Sequence, residues 1–176
     1  MQPTKDSFYM TLLNRLVALD PQQVVTVNGT TRPAIIVAEN ELVVPVVPLP
    51  DAFYIEWSEA QAIASQAGSR LLMKMECVIS YHTLGTVESG VDRGRTLAAL
   101  DTELMNICQP AWTSKRDYSQ APSISLGTRI WWTQPSFGKV SGGEGMKHES
   151  LPMGNAGVRL ERSATLSVFF FSEVTL

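Results

Sequence analysis

From Leu71 to Tyr81 the chain alternates: Leu71, Met73, Met75, Cys77, Ile79 and Tyr81 fall on one side of a two-residue period, Lys74, Glu76 and Ser80 on the other. Only an extended backbone sends every second side chain to the same face, so this segment predicts a strand with one face on a core. Arg159 to Val174 is a second constraint of the same kind. It is apolar on both faces around Phe169, Phe170 and Phe171, which predicts a central place in a sheet or pairing across an interface. Two helical stripes accompany these strands. Phe8, Leu12, Leu13, Leu16 and Val17 recur at helical spacing, with Thr4 or Asp6 as a cap and Pro21 as the stop after Asp20. Leu97, Leu100, Leu104 and Ile107 mark a second helix from about Asp92 to Ile107, closed by Pro110. Helices of a fold this size lie across one face of a sheet. The expected class is therefore α+β: a mixed, mostly antiparallel sheet with two main helices on one face, plus long loops.

The remaining segments fill in around that frame. Val24–Val27, Ala34–Val37 and Phe53–Trp57 read as short strands, with Asn28-Gly29 as a tight hairpin turn after the first. Leu42–Pro50 mixes Val43, Val44, Val46 and Val47 with Pro45, Pro48 and Pro50, which reads as an extended edge segment or arm. Ser58–Gln66 is rich in alanine and predicts a short helix ended by Gly68. Ala111–Leu126 reads as a polar loop, Thr128–Thr133 as a strand, and Gln134–Gly157 as a long loop holding most of the late glycines. Loops of that length are usually functional or disordered. No internal repeat is visible, and residues 1–176 are expected to form one domain.

Composition narrows the classes of function. Hydrophobic residues make up 44%, enough for a core, while charged residues are only 18% and the net charge is −3. A nucleic-acid binder held by phosphate contacts needs a basic excess, so that class is disfavoured. Few charges on a water-exposed chain predict an apolar patch that a partner covers. No run of about 18 apolar residues is present. The start, Met1 to Asp6, leads into no signal-peptide core, so the expected location is a cytoplasm. Cys77 and Cys108 are expected as buried reduced thiols.

Catalytic and metal chemistry find little support. His82 and His148 lie at metal-ligand spacing from neither cysteine nor each other, and His148 with Glu144 and Glu149 reads as a solvated loop. No Gly-x-Ser-x-Gly elbow occurs, and Asp101 and Glu103 sit two apart on a helix, facing different ways. Ser141-Gly142-Gly143-Glu144-Gly145 lacks the Lys-Ser/Thr of a phosphate cradle. No cofactor, metal or enzymatic activity is expected. The candidate residues belong to interfaces instead. Arg93 and Arg95 stand at a helix start, where they are either solvated or meet a partner's carboxylates. Trp131 and Trp132 are adjacent on a strand, so only one can enter a given core and the other is left for a covered sheet face. Phe137, Val43, Val44, Val46 and Val47 complete the interface set.

The order of elements resembles the tail terminator (tail-to-head joining) proteins of long-tailed bacteriophages. The residues carrying the resemblance are Phe8–Leu16, Arg32–Val37, the strand Leu72–Tyr81 running into Arg95–Leu104, and Ala164–Val174. It covers most of the chain as a pattern of polarity, and Leu42–Pro50 and Gln134–Gly157 depart from it as additions. The resemblance implies a virion protein of the tail and neck. Its partners would be copies of itself in a ring of six, the tail tube protein, and a head-completion or connector protein. DNA would pass the lumen without specific binding, and no membrane would be involved. A closed ring needs two different contact surfaces on each subunit. Substituting Trp132, or deleting Leu42–Pro50, is expected to leave the fold intact and weaken the ring. Competing expectations are another neck, tail-completion or tube subunit, and a small α+β ligand-binding domain or enzyme.

Overall fold

The computed structural model describes residues 1–41, 48–64, 70–86, 91–142 and 159–175. The chain opens on helix α1 (Gln2–Leu19), then strands β1 (Val24–Val27), β2 (Thr30–Pro33) and β3 (Ile35–Val37), and a single helical turn α2 (Ala38–Glu41). Strands β4 (Phe53–Trp57), β5 (Gln61–Ala64) and β6 (Arg70–Thr83) precede helix α3 (Arg93–Ile107). Strands β7 (Trp112–Asp117), β8 (Ile124–Trp132), β9 (Ser136–Phe137), β10 (Ser141–Gly142) and β11 (Leu160–Thr175) complete it.

The main sheet runs β3-β4-β6-β11-β8-β7 and is antiparallel except for the β3–β4 pair. Its spine is the long ladder of β6 against β11, from Thr83–Leu160 to Leu72–Phe171. The apolar last strand is thus central, with β6 on one side and β8 and β9 on the other. The fold is α+β, with both long helices on one face. There Phe8, Leu12 and Leu16 of α1 and Leu97, Leu100, Leu104 and Ile107 of α3 meet Met75, Cys77, Ile79, Leu166, Val168, Phe170 and Ile130. Each such side chain, fully buried, contributes roughly 1.5–3 kcal/mol. A smaller cluster of Val25, Ala34, Ile36, Ala52 and Tyr54 lies on the other face, where the β1–β2 hairpin covers the β3–β4 end. Asn28 (φ 50°) and Gly29 (φ 79°) form that hairpin's turn, whose left-handed backbone suits Asn-Gly.

Several expectations are corrected. α1 begins at Gln2 and its cap uses no side chain: Thr4 is buried and Asp6 accepts from Gln2 Nε2 at 2.7 Å. Val17 is 44% exposed, so the helix's apolar stripe is narrower than its spacing implied. Within Ser58–Gln66, residues Gln61–Ala64 form strand β5 and not a helix. They pair with Lys74, Met73 and Leu72, because the stretch of β6 beyond β4 otherwise leaves a ladder edge open, and that outweighs alanine's helical preference. The expected loop Ala111–Leu126 holds β7 and the start of β8, a hairpin paired from Trp112–Trp131 to Asp117–Ile124 with one register shift between Ser114 and Arg116. Within Gln134–Gly157, β9 and β10 make short pairings with β11, and residues 143–157 lie outside the described set. Most of the arm, residues 42–47, lies outside it too.

β8 pairs with β11 only through Ile130–Trp132. Just past that contact the buried Lys115 donates to the Phe171 carbonyl (2.5 Å) and pairs with Glu173 Oε1 (3.0 Å), supplying the donor the departing strand does not. Among the described residues no helix is long and apolar enough to cross a membrane.

Candidate functional site

Strand alternation sends the even-numbered residues of β6 between Leu72 and His82 away from the helices, and register partners extend that outer face across the sheet. One row crosses four strands: Lys74 on β6, Phe169 on β11, Trp131 on β8 and Trp112 on β7. Leu72 and Phe171 form the next rung. The Trp131 and Phe169 rings are stacked at 5.8 Å and 11°, with Phe171 tilted against Trp131 at 5.8 Å. Trp112 is 61% exposed, and the Arg129 guanidinium sits 3.8 Å from its ring centre. The helices lie on the opposite face, and the β1–β2 hairpin reaches only the far end of this one, so no described element covers the strip. A contiguous aromatic strip of this kind marks a contact surface.

The nine interface candidates part company here. Trp131 is on the strip. Trp132 is not: it is 3% exposed, edge-on to Phe8 at 5.2 Å, and its indole N–H donates to the Cys108 and Gln109 carbonyls. Its place in the core removes it as an interface anchor, and its substitution will disturb the fold. Phe137 packs partly buried against the main core, with the Arg162 guanidinium 5.1 Å from its ring. Arg93 donates from Nε to the Leu84 carbonyl at 3.1 Å, while Arg95 is exposed in the first turn of α3, both remote in the fold from the strip. Val43, Val44, Val46 and Val47 lie outside the described residues. Sequence reasoning missed Trp112, Arg129, Phe169 and Phe171 as members of one surface. The i, i+2 spacing of Phe169 and Phe171 was the available signal.

Two concavities accompany the strip. One, of about 300 Å³, lies over the other end of the outer face, between Tyr54, His82, Lys139, Arg159 and Glu161. Burial, then the Arg159 charge, holds His82 below its ordinary pKa, so it is a neutral imidazole at pH 7. The second, of about 620 Å³, opens between the end of α1 and the flank of α3, lined by Leu19, Asp20, Asp51, Thr102, Glu103 and Asn106. Burial, reinforced by the Asp20 carboxylate, pushes Glu103 up to about 7. Among the described residues no group of three or more His, Cys, Asp or Glu is placed to hold a metal. Burial raises both thiols, Cys108 to about 12, so neither is a ready nucleophile.

The Glu103 environment predicts a pH effect. The folded chain holds this proton more tightly than the unfolded one, whose carboxyl titrates near 4.5. The favourable contribution is complete below about 4.5 and is lost as pH rises through about 7. Glu103→Gln should flatten the pH dependence of the denaturation midpoint across that window. An unchanged slope would mean that Glu103 is solvated.

Comparison of the sequence with known protein families and with curated proteins finds no match.

Proposed function

We propose that this chain is a structural assembly subunit, a tail terminator whose copies close into a ring, six by the resemblance, on the end of a phage tail tube. The ring stops tube growth and offers its far side to a head-completion or connector protein. The observation that carries the reading is the strip of exposed Trp112 and half-buried Trp131, Phe169 and Phe171, which no described element covers and whose wet apolar area becomes stabilising when a protein surface covers it. The order of elements, helix, strands, long strand, helix and closing strands, also supports it. A second reading has its own observation: the 300 Å³ cavity with convergent polar groups fits a small-ligand site.

Light scattering across a concentration series, with negative-stain images of the same peak, tests the proposal. The expected result is a closed ring of fixed mass that grows no longer at high concentration. Open filaments would indicate a tube subunit instead. A strict monomer throughout would overturn ring formation by the chain alone and turn the search to ligands of the cavity.

A further inference from the structure

A subunit of a closed ring carries two unlike surfaces, one complementary to the other. The aromatic strip supplies the first, on the outer face of the sheet. At its edge Arg129 sits over the Trp112 ring and makes no ion pair among the described residues, a cation whose ring platform holds it in place before any partner arrives. Tryptophan and arginine are also the side chains that most often dominate binding at interfaces.

The complement lies on the helix side. The cleft of about 620 Å³ beside α3 gathers Asp20 and Glu103, with Leu19, 50% exposed, on its rim. The Asp20 carboxylate accepts from the Gln22 N–H at 2.9 Å, and Glu103 has no cationic partner among the described residues. On the same wall Asp51 Oδ1 is buried with no donor among the described residues. Burial, with the Asp20 carboxylate second, makes Glu103 resist ionising, and a guanidinium placed between the two carboxyl groups favours the charged form. A fork of planar donors suits paired carboxylates better than any other side chain does.

We propose that the sheet face of one subunit docks on the helix face of a second copy, with the Trp112–Arg129 pair entering the cleft and Arg129 bridging Asp20 and Glu103. The two surfaces lie on opposite layers of the fold, so the contact is head-to-tail and leaves every open chain of subunits one free strip at one end and one free cleft at the other until the ring closes. The inference rests on the assembly reading above and specifies its contacts.

Charge exchange tests it on the full chain. Arg129→Glu and Glu103→Arg are each made alone and then together, with circular dichroism and thermal melts to establish that every variant is folded. Each single variant is expected to raise the concentration at which rings dissociate by roughly tenfold or more. The double variant, with the pair reversed, is expected to recover most of that loss. Trp112→Ala gives a second route that leaves both charges in place and should also weaken the ring. If the unaltered chain forms rings and all these variants form them equally well, the docking assignment is overturned while the assembly function stands. The assignment is equally overturned if rings persist and only capping of tail tubes is lost, since the strip then faces a different protein. If the unaltered chain forms no ring, the assembly reading itself fails first.

Discussion

Trp132→Ala is expected to lower the stability of the folded chain by about 3–5 kcal/mol, against roughly 1 kcal/mol for Trp131→Ala one residue earlier. The difference comes from the pleat. Trp132 fills the space between β8 and α1, edge-on to Phe8, with the Arg15 guanidinium 5.3 Å from its ring. Its N–H also satisfies two carbonyls at the end of α3, at 3.2 and 3.1 Å, that alanine leaves without this donor. Trp131 is half-buried and stacks on Phe169 on the face that no described element covers, so its loss leaves no enclosed cavity. Urea denaturation of both variants, compared at equal m-values, measures the contrast. Equal losses would remove the contrast in burial, and a larger loss at Trp131 would mean that the two rings have been assigned to the wrong faces. Under the assembly reading proposed above, a ring assay should invert the order of interest: Trp131→Ala keeps the fold and weakens assembly.

Removing Asp101 should cost about 2–4 kcal/mol, because that carboxylate ties α3 to the two central strands. It accepts from the Tyr81 hydroxyl on β6 and from Arg162 Nη1 on β11, at 2.5 Å for the latter. Tyr81 and Arg162 are register partners, so the two donors stand side by side on the helix-facing side of the sheet. Burial, with the Asp101 carboxylate beside it, raises the Tyr81 hydroxyl well above its ordinary pKa, and it remains a donor through the alkaline range. Asp101→Ala leaves a partly buried guanidinium and a hydroxyl without their acceptor. Tyr81→Phe, which removes one donor and keeps the ring, should cost about 1 kcal/mol. A double-mutant cycle should give a coupling between them of about 0.5 kcal/mol or more. Additive losses would show that the hydroxyl and the carboxylate do not share an energetic contact.

What could be read in advance was whatever one-sided burial imposes. β6 alternates and α3 carries a stripe because each buries one face, and β11 is apolar on both faces only at Phe169–Phe171, where Phe170 enters the core while Phe169 and Phe171 join the aromatic strip. Gln61–Ala64 defeated the reading because its strand state is dictated by an open stretch of β6, not by its own residues. β7 hid for a related reason. Only Lys115 among its residues is fully buried, and a lysine is a poor flag for burial. Alternation announced that Trp131 and Trp132 part company, but which one turns inward depends on the pairing of Trp132 with Val168, a contact made far along the chain. The same holds for Arg129 over Trp112, which exists only in the register of the β7–β8 hairpin. The acidic cleft needs both helices in place before Asp20 and Glu103 become neighbours at all.

The central position of β11 governs the order in which the molecule can come into being. Every other described element precedes it in the chain, and among the described strands β6 and β8 meet only through it. On the ribosome, the β3–β4–β6 half and the β7–β8 hairpin emerge first and must wait, their core faces wet, until the last strand slides between them. Such long-range closure is slow, and the waiting chain exposes two strand edges that pair readily with foreign strands. A nascent-chain series should therefore stay protease-sensitive until Leu160–Phe171 clears the exit tunnel and then become resistant in one step. Only from that moment is the aromatic strip of the outer sheet face complete.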